Sequence, residues 1–223
     1  MTKTVFNVGS PMRLAEKILG FFTKKDLRNG FFIEAGANNG LWQSNTYYLE
    51  EILGWNGLLV EPNPTSFQQC QIHRSSSNNL LIHSALVDLE YEKEYIEGYF
   101  SETDYENTLM AQVGDAAILD HQKKRWGEKE LLKVPATSLS NILDENNIEK
   151  IDFFSLDVEG YELKVLNGIN IKKHRPTYVC VEVWDNYPTR DEVLDFFPKN
   201  GYNLVEKMTK QDYLFVDTEK SSA

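Results

Sequence analysis

The chain has 223 residues, of which 41% are hydrophobic and 26% are charged. This composition is typical of a globular protein, so we expect a single domain over residues 1–223 rather than a disordered chain. The 23 Lys and Arg against 34 Asp and Glu give a formal net charge of −11, which disfavours nucleic acid as a partner. No apolar run is long enough to cross a membrane, and the first residues lack the apolar stretch of a secretory signal. We therefore expect a cytoplasmic protein whose two cysteines, Cys70 and Cys180, are reduced.

Strands and helices alternate along most of the chain. An N-terminal helical segment is expected over residues 1–30, with an amphipathic helix at 11–22 that Ser10 would cap. Short apolar runs predict buried strands at 31–33, 58–60, 80–82, 151–156 and 178–183. Helical spacing predicts helices at 44–53, 65–72, 138–146, 161–166 and 189–197, and two final strands are expected at 203–205 and 212–216. Thr189, with Glu192 three residues on, is expected to cap the last helix.

Residues 89–133 interrupt this alternation. They combine many charges with aromatic side chains and show only a weak pattern, which a hairpin followed by a helix would fit. We interpret this stretch as an insertion or lid.

The predicted strands are continuously apolar rather than alternating, which indicates a mostly parallel sheet with helices on both faces. Folds of this kind bind ligands at the carboxyl ends of their strands. Acidic residues lie at or just after these ends: Glu34, Glu61, Asp88, Asp157 and Glu182. We expect the functional site at this edge.

A glycine-containing turn, from Glu34 to Gly40, joins the first strand to the next helix, where a ligand can approach the backbone. The dinucleotide fingerprint G-x-G-x-x-G would need glycine at Asn38 and Leu41, so this turn does not fit a pyrophosphate. Glu34 suits a cationic group instead. Glu61, 21 residues after Gly40, is placed to accept hydrogen bonds from ribose hydroxyls. A ribose, a cationic amino-acid end and no phosphate describe S-adenosylmethionine better than NAD.

A third acidic segment ends the strand predicted at 151–156. Asp157 and Glu159 lie two residues apart, so in an extended chain their side chains point the same way. They could hold an ammonium group, bind a metal or take a proton from an acceptor hydroxyl, although Glu159 could instead only stabilise the following helix. His121, inside the expected lid, is a further candidate proton acceptor. No two histidines have metal-ligand spacing, so a metal site is not predicted, although Glu182 or Asp185 could join Asp157 at a divalent ion.

Four segments carry a family resemblance: FFIEAGANNGLWQSNT, LLVEPNP, HSALVD and IDFFSLDVEGYELKVLNG. In this order, over roughly residues 31–185, they resemble the FkbM-type family of S-adenosylmethionine-dependent methyltransferases. The family usually has Asp where this chain has Glu34. The resemblance implies a Rossmann-like class I methyltransferase fold: α/β, with a mostly parallel seven-stranded sheet, an antiparallel last strand and helices on both faces. It implies that the Glu34–Gly40 loop holds the methionine end, Glu61 the ribose and the 84–88 region the adenine edge. The expected cofactor-binding residues are Glu34, Ala35, Gly36, Ala37, Asn38, Gly40, Asn45, Glu61, Pro62, Asn63, Ser84, Ala85 and Asp157.

The function expected from this reasoning is O-methylation of a small natural product, on a hydroxyl or carboxylate of a peptide C-terminus, a polyketide or a sugar. The methyl group is activated by the cofactor, so no catalytic triad is needed, and a carboxylate acceptor needs no base. The candidate catalytic residues are Asp157, Glu159 and His121. Two alternatives remain at this point: an inactive methyltransferase-like binding module and an NAD-dependent oxidoreductase.

Overall fold

The computed structural model describes residues 13–75, 78–101, 112–113 and 129–220. The predicted cap Ser10 and the candidate catalytic residue His121 lie outside these ranges. The described helices are α1 (Leu14–Lys24), α2 (Tyr47–Leu53), α3 (Pro64–His73), α4 (Leu139–Glu145), α5 (Glu162–Asn167) and α6 (Arg190–Lys199). The described strands are β1 (Phe31–Ala35), β2 (Asn56–Glu61), β3 (Leu80–His83), β4 (Ala85–Val87), β5 (Tyr95–Ser101), β6 (Gln112–Val113), β7 (Lys129–Ser138), β8 (Phe153–Leu156), β9 (Tyr178–Glu182), β10 (Tyr202–Lys207) and β11 (Asp212–Asp217).

A seven-stranded sheet forms the centre of the fold, in the order β10-β11-β9-β8-β1-β2-β3. Strands β9, β8, β1, β2 and β3 pair in parallel, and β11 runs antiparallel to both β9 and β10. This confirms the predicted α/β architecture with a mostly parallel sheet and an antiparallel final strand. Ala35 pairs with Val60 on one side and with Leu156 on the other, so β1, β2 and β8 end at one level.

Helices cover both faces of this sheet, as predicted. On one face, Ile33 of β1 packs in a core cluster with residues of α4, α5 and α6. On the other face, Phe32 packs with Phe22 of α1 and with residues of α2 and α3. Phe22, Phe32 and Ile33 are all fully buried, and burial of such a side chain stabilises the fold by about 1.5–3 kcal/mol.

Two helix starts differ from the sequence expectation. Helix α2 begins at Tyr47 rather than at residue 44, because the residues before it hydrogen-bond the Glu34 carboxylate. At the start of α6, the Thr189 side chain makes no capping hydrogen bond, so the predicted capping box is wrong.

The interrupting segment contributes to a second, four-stranded sheet in the order β4-β7-β5-β6. Strands β5 and β7 pair antiparallel from Tyr95 opposite Pro135 to Ser101 opposite Lys129, with β6 between them in the chain. Their inward side chains, such as Ile96 and Phe100, pack with Tyr161 in a third apolar cluster. The helix expected there falls outside the described residues, and a lid role for 89–133 stays a prediction. None of the described helices is long and apolar enough to span a membrane.

Candidate active site

The loop after β1 is the backbone feature that creates the site. The N–H groups of Gly36 and Ala37 both donate to the carbonyl of Val60, at 3.0 and 3.1 Å, which holds the loop against the end of β2. Gly36 has a φ of +81°, and a Cβ atom on it would lie only 1.8 Å from the carbonyl oxygen of Asp157. Only glycine therefore allows this loop to pass between the ends of β2 and β8.

A pocket opens where the loop leaves the sheet, beside the point at which the strand order reverses around β1. It encloses about 790 Å³ of empty space, part of which is open to solvent. Open parallel sheets bind their ligands in this crevice. Nine of the residues singled out in the sequence line the pocket: Gly36, Ala37, Asn38, Glu61, Pro62, Ser84, Ala85, Asp157 and Glu159.

Glu61 is the buried acid at the end of β2, with only 5% of its surface exposed. One carboxylate oxygen accepts the Asn38 N–H at 2.7 Å, and the other accepts the Asn63 N–H at 2.8 Å. Burial raises the pKa of Glu61 to about 7, against the lowering effect of the two N–H donors. Each oxygen keeps a second lone pair, so the carboxylate can accept further hydrogen bonds from a ligand in the pocket.

Two other polar groups at the pocket lack partners within the described part of the chain. The Asn38 side-chain amide and the Trp42 indole N–H are buried and have no hydrogen-bond partner among the described residues. Both residues line the pocket. Unsatisfied buried polar atoms cost free energy, so their position indicates a ligand that would pair with them.

Five expected cofactor residues do not line the pocket: Glu34, Ala35, Gly40, Asn45 and Asn63. The Glu34 carboxylate instead accepts hydrogen bonds from Ser44 Oγ at 2.9 Å, Asn45 N at 2.6 Å and Thr46 Oγ1 at 2.6 Å. Burial raises the pKa of Glu34, and nearby Arg74 opposes this shift. The expectation that Glu34 meets a cationic ligand group is therefore corrected, because its carboxylate faces the α2 side of the sheet and orders the loop.

The other four residues support the site from behind. Asn63 caps α3 by accepting from the N–H groups of Thr65 and Ser66, at 3.0 and 3.4 Å. The Asn45 amide donates to Ser155 Oγ at 3.0 Å. Gly40 lies against α3, where a Cβ atom would come within 2.7 Å of the Cys70 sulphur. Ala35 is the buried last residue of β1.

Arg74 is a buried residue of this support that the sequence reasoning did not single out. Its guanidinium donates to the Gly40 carbonyl at 2.7 Å and pairs with Glu50 at 2.7 Å, while its side chain is 0% exposed. It also donates to Ser44 Oγ and Thr46 Oγ1, at 3.2 and 3.3 Å. No local pattern distinguishes an arginine at the end of α3, because its partners lie 24 to 34 residues earlier in the chain.

A group of carboxyl side chains gathers at the same edge of the sheet, beyond Asp157. It comprises Asp157, Glu159, Glu162, Glu182 and Asp212. Burial raises the pKa of Asp157 well above its ordinary value, and the neighbouring Glu182, Asp212 and Glu162 add to this effect. No set of three or more His, Cys, Asp and Glu side chains in the described ranges has the arrangement of a metal site. Asp185 lies on the surface and pairs with Arg190 at 3.3 Å, so it does not join Asp157 at an ion site.

A Ser-His-Asp chain elsewhere in the fold has a structural role. His174 Nδ1 lies 3.0 Å from Ser140 Oγ, and His174 Nε2 lies 2.8 Å from Asp144. The serine oxygen already accepts the Asn170 N–H at 2.6 Å, and neither Ser140 nor His174 lines the pocket. These three residues link α4 to the loop before β9 and present no accessible nucleophile.

Comparison with known proteins agrees with this geometry. The family described as "Methyltransferase FkbM domain" matches residues 34–204. Methyltransferase sdnD of Sordaria araneosa is 24% identical over 203 residues, which cover 79% of this chain and 75% of that protein.

Two solved structures share the fold at low sequence identity. Methyltransferase FkbM from Methylobacillus flagellatus KT superposes with a TM-score of 0.52 at 14% identity, over 94% of this chain and 48% of that one. The present chain thus spans about half the length of that relative. Precorrin-6y C5,15-methyltransferase from Geobacter metallireducens GS-15 gives a TM-score of 0.51 at 9% identity, over 96% and 92% of the two chains. The architecture is that of the class I methyltransferases, and the chain belongs to the FkbM family of methyltransferases.

Proposed function

We propose that this protein is an S-adenosylmethionine-dependent O-methyltransferase that acts on a small organic acceptor. The observation that carries the proposal is the buried Glu61 carboxylate, which faces a pocket beside a loop that only glycine can form. An acid at the end of the second strand is placed to accept hydrogen bonds from the two hydroxyls of a ribose.

The remaining pocket residues fit the other parts of this cofactor. Val60, Leu86 and Val165 supply apolar walls that suit the faces of an adenine ring. The Asn38 amide and the Trp42 indole N–H have no partner among the described residues and offer polar contacts, the indole N–H as a donor for a carboxylate. Asp157 and Glu159 place negative charge on the β8 side, where it favours the cofactor's cationic groups.

NAD fits this lining less well. The described residues that line the pocket include three acids, Glu61, Asp157 and Glu159, and no Lys, Arg or His. A pyrophosphate would meet like charge there, and Asn38 and Leu41 stand where the dinucleotide fingerprint needs glycine. This disfavours the oxidoreductase alternative.

When bound, the cofactor supplies an activated methyl group on a sulphonium centre, and the protein's residues bind, orient and exclude water. The lining charge also bears on the acceptor. Among the described lining residues, three carry carboxyl groups and none is Lys, Arg or His, so this charge disfavours a carboxylate acceptor and not a neutral hydroxyl. Of the two acceptor classes, we therefore propose the hydroxyl of a small natural product.

The test is methyl transfer from isotope-labelled S-adenosylmethionine to matched acceptor pairs, each carrying an alcohol or a carboxylate on the same skeleton. The proposal predicts labelled ethers from the alcohols and no labelled esters. Esters formed in preference to ethers would overturn the hydroxyl assignment. A protein that binds the cofactor product S-adenosylhomocysteine but transfers no methyl group to any pair would support the binding-module alternative.

A further inference from the structure

We propose that Asp157 and Glu182 act as one carboxyl pair that shares a proton at the pocket edge and takes the acceptor's proton during methyl transfer, with the buried Tyr187 hydroxyl near the same carboxyl groups. This inference rests on the proposed function and deepens it. Asp157 lines the pocket and is the catalytic residue of the pair, while Glu182 is a positioning residue that acts through it.

The sheet register sets the two acids side by side. Leu156 of β8 pairs in parallel with Val181 of β9, so the next residues, Asp157 and Glu182, lie level at adjacent strand ends. Neighbouring strands of a sheet lie about 4.8 Å apart, so the two carboxyl groups are close enough to share one proton. The Gln211 amide donates to the outer Glu182 oxygen at 3.2 Å, which fixes the orientation of that side chain.

Charged groups face this pair from several elements. Asp212 of β11 lies directly opposite Glu182 in the antiparallel register. Glu162 of α5 and Glu159 of the preceding turn add negative charge, and Lys17 of α1 acts on Asp212 from the far side. Burial and these neighbouring acids raise the pKa of both Asp157 and Glu182 well above their ordinary values. Two neighbouring carboxyl groups in such surroundings titrate as a coupled pair, which is the state that the proposal assigns to them.

Tyr187 gives an independent indication that a group binds here. The residue is 5% exposed, and its hydroxyl has no hydrogen-bond partner among the described residues. Its ring lies beside Gly160, 3.7 Å from the position of an added Cβ atom, and its hydroxyl is close enough to interact electrostatically with Asp157, Glu159, Glu162 and Glu182. A buried phenol left without a partner costs free energy, which a hydrogen bond to the oxygen of a bound acceptor would offset.

The chemical step balances without another reactant. The acceptor's O–H bond breaks and its oxygen forms a bond to the methyl carbon, while the electron pair of the carbon–sulphur bond stays on sulphur. The proton passes to the Asp157 carboxyl, and the pair becomes neutral before it returns this proton to water. A hydroxyl acceptor needs this base, because its proton is otherwise retained at neutral pH.

The first test is a carbon-13 NMR titration of the side-chain carboxyl groups in the apo protein, which needs no acceptor. The proposal predicts that Asp157 and Glu182 titrate in coupled steps, each visible in both signals. Glu182→Gln should lower the Asp157 midpoint by about one pH unit or more, because it removes a coupled charge. Asp185→Asn, an exposed acid three residues away, is the matched control and should leave Asp157 unchanged. Independent titration of Asp157 and Glu182, or an Asp157 midpoint that Glu182→Gln does not move, would overturn the proposal.

Tyr187→Phe tests the second part. Removing a hydroxyl that has no partner among the described residues should leave the apo protein's unfolding temperature unchanged or higher, whereas a lower temperature would show that the hydroxyl is bonded within the fold. Binding of S-adenosylhomocysteine, measured separately, distinguishes a failure of the carboxyl-pair proposal from a failure of the proposed function. A protein that binds it but shows independent carboxyl titrations contradicts only the pair, and a protein that does not bind it contradicts the proposed function.

Discussion

The Glu61 carboxylate accepts a hydrogen bond from the backbone N–H of Asn38, at 2.7 Å. This bond joins the end of β2 to the loop after β1, and the second oxygen of Glu61 joins the same carboxylate to Asn63 at the start of α3. One buried acid thus holds three elements in place around the pocket while it faces the pocket itself. Its negative charge is supported by the two N–H donors and opposed by burial, so ligand donors would strengthen the ionised form.

Gly36→Ala should disrupt this loop. The added Cβ atom would lie 1.8 Å from the Asp157 carbonyl oxygen at a φ of +81°, so the backbone must move at a cost of about 1–2 kcal/mol for the dihedral alone. We expect a lower free energy of unfolding and weaker binding of S-adenosylhomocysteine, as measured by urea denaturation and calorimetry. Gly20→Ala is the matched control: Gly20 lies within α1 with no atom within 4 Å of the added Cβ, and alanine there should stabilise the protein by about 0.5–1 kcal/mol. A Gly36→Ala protein as stable as the wild type would contradict this description of the loop.

Arg74→Ala should strongly destabilise the protein, because Arg74 is buried beneath the loop after β1. It removes the buried partner of Glu50 and the donor to the Gly40 carbonyl, and breaking a buried pair costs about 3–5 kcal/mol. Urea denaturation would measure this loss. For comparison, Arg190→Ala removes exposed ion pairs with Asp185 and Asp191 and should cost at most about 1 kcal/mol. Equal effects of the two substitutions would argue against Arg74 as a structural centre.

The buried acids predict that the apo protein is more stable at about pH 5.5 than at about pH 8. Burial raises the pKa of Glu61 and Glu162 to about 7 and that of Asp212 to about 6, so between their ordinary and folded values the folded state binds more protons than the unfolded state. The stability they contribute is complete below about pH 4 and is lost as the pH rises through 6 to 7. His174, whose pKa burial lowers, opposes this trend as a single group.

Denaturation curves over this pH range would measure the effect. Glu162→Gln should flatten the decline, because it removes one of the titrating groups, and the exposed Glu192→Gln should leave the profile unchanged. A free energy of unfolding that rises steadily from pH 5.5 to 8 would contradict the assignment of these acids.

The strand order and much of the pocket lining could be predicted, because buried parallel strands are continuously apolar and their ends converge at one edge. The orientation of the Glu34 side chain could not be predicted from the sequence. It is the second-last residue of β1, so its side chain points to the same face as Phe32, toward α2 and Arg74, rather than to the pocket. The sequence alone does not indicate which face of the sheet Glu34 points to, nor that it lies near Arg74, which comes forty residues later. The pairing of Asp157 with Glu182 likewise depends on the register of β8 with β9, which the apolar pattern does not specify.

The most direct test of the central claim is a calorimetric titration of S-adenosylhomocysteine into the wild type, Glu61→Gln and the control Asp185→Asn. Glu61→Gln keeps the shape of the side chain but removes the negative charge that would accept hydrogen bonds from the ribose hydroxyls. Hydrogen bonds to a charged group are worth about 1.5–3 kcal/mol. We expect one binding site on the wild type, an affinity at least about tenfold weaker in Glu61→Gln, and an unchanged affinity in the control. Equal affinity of the wild type and Glu61→Gln, or no binding to the wild type, would contradict it.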